Sequence, residues 1–240
     1  MHTFSTGPRV EKIDGCALRV AAATWSFAID HQDAIARHWQ QRQKQNPALF
    51  NGRIFILLRH HVADSQLIGE YAPTDFASYL YWREHDYCDA SVRDGFGSAI
   101  LRSAEGDILL GCAGAHTINA GRAYLPGGFV DARDVRADGT VDIDASVARE
   151  VLEETGILWS EFERRSGYWL SLSGPLLSIG IELVHADQSE TLRRRITDHN
   201  AREERPEIAE ILILRNAAAA ADQRIMPYSR QVAEKFLAGT

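Results

Sequence analysis

The stretch Arg149 to Ile157, Arg-Glu-Val-Leu-Glu-Glu-Thr-Gly-Ile, constrains this 240-residue chain more than any other. Glu150, Glu153 and Glu154 stand at i, i+3 and i+4, so a helix projects all three carboxylates from one face. Like charges at that spacing oppose helix formation unless a cation binds them. An all-oxygen donor set suits Mg²⁺ or Mn²⁺. Arg149 can hold one carboxylate by a bidentate pair and leave the others for metal. Val147 and Val151 are one turn apart on the opposite face and can anchor the helix in a core. Gly156 supplies the left-handed residue that ends it. The segment therefore calls for a helix with one face in a core and the other at a cation-seeking site.

The same nonapeptide resembles the second half of the Nudix box, Arg-Glu-(apolar)-x-Glu-Glu-x-Gly-(apolar), at every fixed position. Leu125-Pro126-Gly127-Gly128-Phe129-Val130-Asp131 is similar to the Pro-Gly-Gly-x-x-acid loop of the first half. The chain departs from the pattern between the two. The family places a Glu eight residues before the Arg, and that position here is Val141. Roughly seven extra residues within Ala132 to Ile143 lengthen the loop, which predicts a mobile segment at the rim of the site. Asp131 and Asp134 are the two candidates to replace the missing acid.

Composition narrows the class. A hydrophobic content of 45% and a charged content of 25% fit a soluble globular protein. The net charge of −7 argues against nucleic acid as partner. It also means that an anionic substrate needs local cations. The three cysteines, Cys16, Cys88 and Cys112, form no CxxC pair, which supports neither a disulfide framework nor a zinc cluster. No signal pattern and no long apolar run occurs, so the expectation is a cytoplasmic protein without a membrane partner.

Pattern along the chain predicts α/β (α+β) architecture. Residues 1–12 are polar and expected to fray. Ala17 to Ala23 reads as a strand, and Ser26 as the N-cap of a helix over Phe27 to Gln45. Arg53 to His60 reads as a strand that Leu67 to Tyr71 can pair with, followed by a short helix from Asp75 to Arg83. Gly97 to Arg102 and Asp107 to Cys112 form a hairpin around Gly106. Asp144 is the expected N-cap of the carboxylate helix. A strand over Leu176 to Val184, a helix over Glu190 to His199, a strand over Ile208 to Leu214 and a helix over Arg230 to Leu237 complete the chain. The division expected is an N-terminal α/β lobe over 1–89 and, from the resemblance, a Nudix α/β/α sandwich with a mixed sheet over 90–240.

The family resemblance implies a metal-dependent pyrophosphohydrolase acting on a small nucleoside diphosphate derivative, with Mg²⁺ or Mn²⁺ as cofactor. It casts Glu150, Glu153 and Glu154 as metal ligands and catalytic groups, and Arg149 as the residue that holds a Glu of the helix. Gly127 and Gly128 let the loop approach the metals and substrate closely. The general base is either a Glu of the box or a carboxylate from the acidic stretch holding Glu203, Glu204 and Glu207. The order of Leu49-Phe50-Asn51-Gly52, strand, hairpin and long loop resembles a branch acting on UDP-glucose and other UDP-sugars, with Asn51 as a substrate contact. The alternatives are ADP-ribose, NADH or a nucleoside triphosphate as substrate, or a nucleotide-binding module without turnover. Trp25, Trp82 and Trp169 are candidates to stack a base, with the core as the competing location.

Overall fold

Alternation along residues 96–101 sets the architecture. Phe96, Ser98 and Ile100 face one way, Gly97, Ala99 and Leu101 the other, and all are buried. A strand buried on both faces belongs in the middle of a sheet covered on both sides. The computed structural model describes residues 9–238. Its elements are β1 (Arg9–Ile13), β2 (Gly15–Val20), α1 (Ser26–Asp30), α2 (Gln32–Gln45), β3 (Arg53–Ala63), β4 (Gln66–Asp75), α3 (Phe76–Glu84), β5 (Asp94–Arg102), β6 (Ile108–Ala113), β7 (Ala123–Tyr124), β8 (Gly127–Phe129), α4 (Ile143–Thr155), β9 (Phe162–Arg164), β10 (Tyr168–Ser173), β11 (Leu176–His185), α5 (Ser189–Asn200), β12 (Ile208–Leu214) and α6 (Pro227–Leu237).

The larger sheet runs β1-β10-β11-β5-β6-β12, with β7, β8 and β9 added to β6, β5 and β11. It is mixed, because β11 and β5 pair in parallel, Leu176 opposite Asp94 through Val184 opposite Arg102, while its other pairs are antiparallel. One face presents Ala99, Leu101, Ile179, Ile181 and Leu183 to Val147 and Val151 of α4 and to Leu192 and Ile196 of α5. The other presents Ile100, Ile108 and Leu110 to Tyr228, Val232 and Leu237 of α6. The expected α/β fold of helices on both faces of a mixed sheet is therefore present.

A second sheet of three strands runs β2-β4-β3. Its inner face, Leu18, Phe55, Leu57, Leu67 and Tyr71, joins the core that holds α4. Its outer face, Ile54, Ile56 and Ala72, packs on Trp25, Phe27, Tyr79 and Trp82. Phe55 N donates to Val130 O at 2.9 Å, and Leu57 and Arg93 exchange backbone hydrogen bonds at 3.0 and 2.9 Å. Residues 15–89 thus supply most of an aromatic core, which Val92 joins and Ile118 and Phe129 pack against, and share a second with the rest. β1 belongs to the larger sheet.

Several local expectations change. Residues 9–13 form β1 rather than fraying, and residues 1–8 lie outside the described part. The helix expected over Phe27 to Gln45 breaks at His31 (φ −110°, ψ 12°), whose ring stacks on Phe27 at 4.2 Å. Ser26 is the first residue of α1, not its cap. Asp142, not Asp144, caps α4, its Oδ1 accepting from Ala145 N at 3.0 Å. Asp144 is taken up by Arg164 at 2.6 Å and by the Tyr168 hydroxyl. The insertion does not stand free at a rim. Val20 N donates to Gly139 O and Val141 N to Leu18 O, both at 2.9 Å, and Val141 is buried. Its apolar residues find a core, and that ties the segment to β2. No helix among the described residues is long and apolar enough to cross a membrane.

Candidate active site

Helix α4 carries the carboxylates because Val147 and Val151 fix its rotation against β5. Gly97 permits the close approach: a Cβ there would meet Val147 Cγ2 at 2.6 Å. Gly156 ends the helix at φ 68°, its N–H donating to Leu152 O. The three carboxylates do not share one environment. The Glu153 side chain is 50% exposed and that of Glu150 13%, whereas Glu154 retains 3%.

Arg149 sets the back of the site. Its side chain reaches Asp134 at 3.1 Å, Glu150 at 2.5 Å and Glu153 at 3.3 Å, with Asp131 more distant at 3.7 Å. Asp134 also accepts from Asp131 N at 2.9 Å and from Ser146 Oγ at 3.0 Å. Of the two candidates for the missing acid, Asp134 is the buried partner of Arg149. Asp131 is turned outward onto Arg133 at 2.6 Å. Asp134 sits on a short 3₁₀ turn, Ala132–Asp134, that Asp131 caps. Although burial works against it, Glu150 and Asp134 raise the Arg149 pKa above its ordinary value, so the guanidinium is a fixed cation.

In front of this pair Glu154 makes no ion pair among the described residues. Gly127 N donates to Glu154 Oε2 at 3.0 Å, and Glu154 Oε1 is buried with no hydrogen-bond partner. A Cβ on Gly128 would lie 2.6 Å from the Glu150 carboxylate, so the Gly-Gly loop and the carboxylate occupy one small space. Burial raises the Glu154 pKa well above the carboxylate range, and Glu207 and Glu150 add to the rise. Burial also pushes Glu150 up to about 7, against the pull of Arg149 and with Glu153 and Glu207 pushing the same way. Glu207 comes from the loop before β12 and is the one residue of the acidic stretch that lines the adjoining cavity. It is exposed by surface area yet crowded by protein atoms. That crowding raises its pKa, with His116 opposing and Glu153 and Glu203 assisting. Glu203 itself is 3.5 Å from His199.

The cavity has a volume of about 340 Å³ and opens beside Gly127, Gly128 and Glu207. Phe76, Tyr79 and Phe129 form one wall, with ring centroids 4.7 Å apart for Tyr79 and Phe129 and 5.9 Å for Phe76 and Phe129. Phe96 and Tyr228 form another, at 5.1 Å. Asp94, buried in the lining, accepts from the Tyr79 hydroxyl at 2.8 Å. Burial pushes Asp94 up to about 6, against Tyr79 and Arg83. Sequence reasoning missed Asp94 and these aromatic residues, because no spacing in the chain links residues 76, 94, 129 and 228.

The candidate tryptophans are not among the lining. Trp25 and Trp82 are core, and Trp169 packs on Phe236 at 4.8 Å. Asn51, expected as a substrate contact, does not line the cavity either. Its Oδ1 accepts from Ala77 N at 2.7 Å and its Nδ2 donates to Asp75 at 3.3 Å, so the amide closes the start of α3. Its neighbour Phe50 is at the cavity instead.

Among the described residues no three acid, His or Cys side chains are already arranged around one point as a metal site. The donor set still fits a hard divalent cation. Glu154 offers a buried oxygen with no partner, and Glu150 lies close enough to raise its proton affinity.

No family model matches the chain, and no curated protein matches it. Among solved structures the chain is similar to a Nudix hydrolase from M. Smegmatis, RenU, with TM-score 0.40 and 16% identity over 60% of this chain and 83% of that one. It is similar to a MutT protein from Methanosarcina mazei Go1, with TM-score 0.39 and 21% identity over 60% and 92%. A bifunctional NMN adenylyltransferase/ADP ribose pyrophosphatase from Francisella tularensis gives TM-score 0.42 and 15% identity over 67% and 45%. Likenesses this distant carry no weight on activity.

Proposed function

We propose that this chain is an enzyme of the Nudix type, a divalent-metal-dependent pyrophosphohydrolase acting on a nucleoside diphosphate joined to a second group. The observation that carries this is buried Glu154, whose Oε1 has no partner and whose proton affinity Glu207 and Glu150 raise. It lies against a Gly-Gly loop at the mouth of an aromatic cavity. A buried carboxylate with like charges near it costs stability and persists where a ligand supplies the opposite charge.

Glu150 and Glu154, with Glu153 at the solvent side, are the residues that would hold Mg²⁺ or Mn²⁺. The ion, when bound, neutralises a diphosphate and acidifies a bound water. The chain's own residues do the rest. Arg149, held by Asp134, fixes Glu150. The Gly127 N–H fixes Glu154. Glu207 stands on a loop across from the helix and takes the proton of the attacking water as general base. The aromatic cavity takes the organic part of the substrate and keeps water from one side. The UDP-sugar expectation loses the contact it named, since both polar ends of the Asn51 amide are engaged. The free thiols Cys16, Cys88 and Cys112 support a reducing, cytoplasmic setting.

The test is turnover of ADP-ribose, UDP-glucose and a nucleoside triphosphate by the purified chain with Mg²⁺ or Mn²⁺, read as phosphate after phosphatase coupling. Hydrolysis that stops in EDTA and in Glu207→Gln supports the reading. No metal-dependent cleavage of any diphosphate or triphosphate overturns it and leaves a nucleotide-binding module.

A further inference from the structure

The cavity beside the carboxylates has walls and hydrogen-bonding groups specific enough to ask which organic group it takes. Phe76 and Tyr79 each meet Phe129 edge to face, and Phe96 and Tyr228 do the same across the space. Such walls favour a flat ring over a sugar, whose hydroxyls would lose water against carbon without gaining partners. Asp94 and Asn119 present acceptors to the space away from Glu207. Asp94 is 5% exposed and accepts from the Tyr79 hydroxyl at 2.8 Å. Asn119 has its Oδ1 buried without a partner. The Arg83 guanidinium in the lining already donates to Ile118 O at 3.2 Å.

We propose that this cavity binds the nucleobase of the substrate and selects a base bearing an exocyclic amino group, with Asp94 and Asn119 as the residues that read it. This rests on the pyrophosphohydrolase reading for its place in the reaction, but the binding itself does not require turnover. An ionised carboxylate only accepts hydrogen bonds, so what faces it must bring N–H groups. An amino group on adenine or cytosine brings two. Uracil brings one ring N–H, flanked by two carbonyl oxygens that a carboxylate repels. A buried amide oxygen without a donor costs free energy until a ligand supplies one. Asp94 and Asn119 lie on opposite sides of the expected division of the chain from Phe50, Phe76 and Tyr79. The base is thus gripped by both parts, which gives the N-terminal residues a part in recognition that Asn51 does not supply.

The experiment is calorimetric titration of the full chain, in EDTA, with AMP, CMP, UMP and ribose 5-phosphate. AMP and CMP are expected to bind about tenfold or more tightly than UMP, the scale of one hydrogen bond to a charged group. Asp94→Asn and Asn119→Ala should each close that gap. Asn119 is half-buried on a loop, so its variant tests selectivity even if Asp94→Asn fails to fold. Equal affinity for AMP and UMP overturns the proposal, as does an unchanged ratio in folded Asn119→Ala. Ribose 5-phosphate binding as tightly as AMP overturns it in favour of a sugar. Diphosphate hydrolysis with no mononucleotide selectivity overturns it and spares the hydrolase reading. Selective AMP binding with no metal-dependent cleavage of any substrate does the reverse.

Discussion

The two sides of helix α4 carry similar residues under opposite conditions. On one side Asp134, Glu153 and part of Glu150 are met by Arg149, and Arg133 adds a contact to Glu153 at 3.2 Å. On the other, Glu154 is buried with one oxygen unpartnered, Glu207 and Glu150 raise its proton affinity, and it makes no ion pair among the described residues. The first arrangement has its countercharge within the chain and needs nothing more to be stable. The second is stable only because the rest of the fold tolerates it, and its missing charge must come from outside. The paired side marks structure, and the unpaired side marks where a ligand belongs.

The largest effect expected is on the paired side. Arg149→Ala leaves Asp134 buried without its cation and should cost about 3–5 kcal/mol of stability, with loss of turnover following from the displaced Glu150. A denaturant melt checks this. An unchanged midpoint would mean that the two sides do not differ as described. Asp134→Asn keeps the volume and should cost less than Arg149→Ala.

The unpaired side should respond in the opposite sense. Glu154→Gln is expected to lower metal-dependent turnover by about 10²-fold or more while raising Tm at neutral pH. Burial holds the Glu154 pKa above its ordinary value of 4.5, so the folded state binds a proton that the unfolded state releases. Parent stability therefore falls as pH rises above that ordinary value, through the window up to the folded pKa. Glutamine does not titrate, so the Tm gain of the variant should be small at acid pH and grow as pH rises. Mg²⁺ should raise the parent's Tm and do so less in the variant. A variant that melts lower than the parent at every pH would show that Glu154 is paired after all.

Glu153→Gln sharpens the boundary between the two sides. Glu153 is half exposed and paired with Arg133 and Arg149, so its removal should leave stability within about 0.5 kcal/mol of the parent. If it also serves as an outer ligand, the Mg²⁺ concentration for half-maximal activity should rise. No shift in metal dependence would assign it to the paired side alone.

Much of this contrast was legible in the chain. The i, i+3, i+4 acids, the Val147 and Val151 stripe and the Gly156 stop define α4 without coordinates. Which acid faces Arg149 was not legible, because Asp131 and Asp134 are three apart and only the 3₁₀ turn between them decides which points inward. The insertion misled for a related reason. Its Asp138-Gly139 turn reads as exposed, but Val141 and Thr140 pair with β2, more than a hundred residues earlier in the chain. The aromatic cavity was invisible because Phe76, Phe129 and Tyr228 meet only through tertiary packing. Local pattern reports periodicity within an element and says nothing of which elements share a wall.

The smallest effect expected concerns Asn51. Its Oδ1 accepts from Ala77 N and Asp75 accepts from Ser78 N at 2.8 Å, so two side chains satisfy two N–H groups of the first turn of α3. Loss of such a cap costs about 1 kcal/mol. Asn51→Ala should lower stability by that amount, seen as a lower Tm, and leave KM unchanged for ADP-ribose and UDP-glucose alike, because Asp75 and the backbone bond from Phe76 N to Gly52 O still hold the helix that carries Phe76, Tyr79 and Arg83. A raised KM for UDP-glucose alone, with kcat and Tm unchanged, would restore Asn51 as a direct contact to uracil and count against an amino-bearing base in the cavity. A raised KM for both substrates, together with a lower Tm, would show that the start of α3 controls the cavity wall, and would move recognition from single contacts to the placement of the helix.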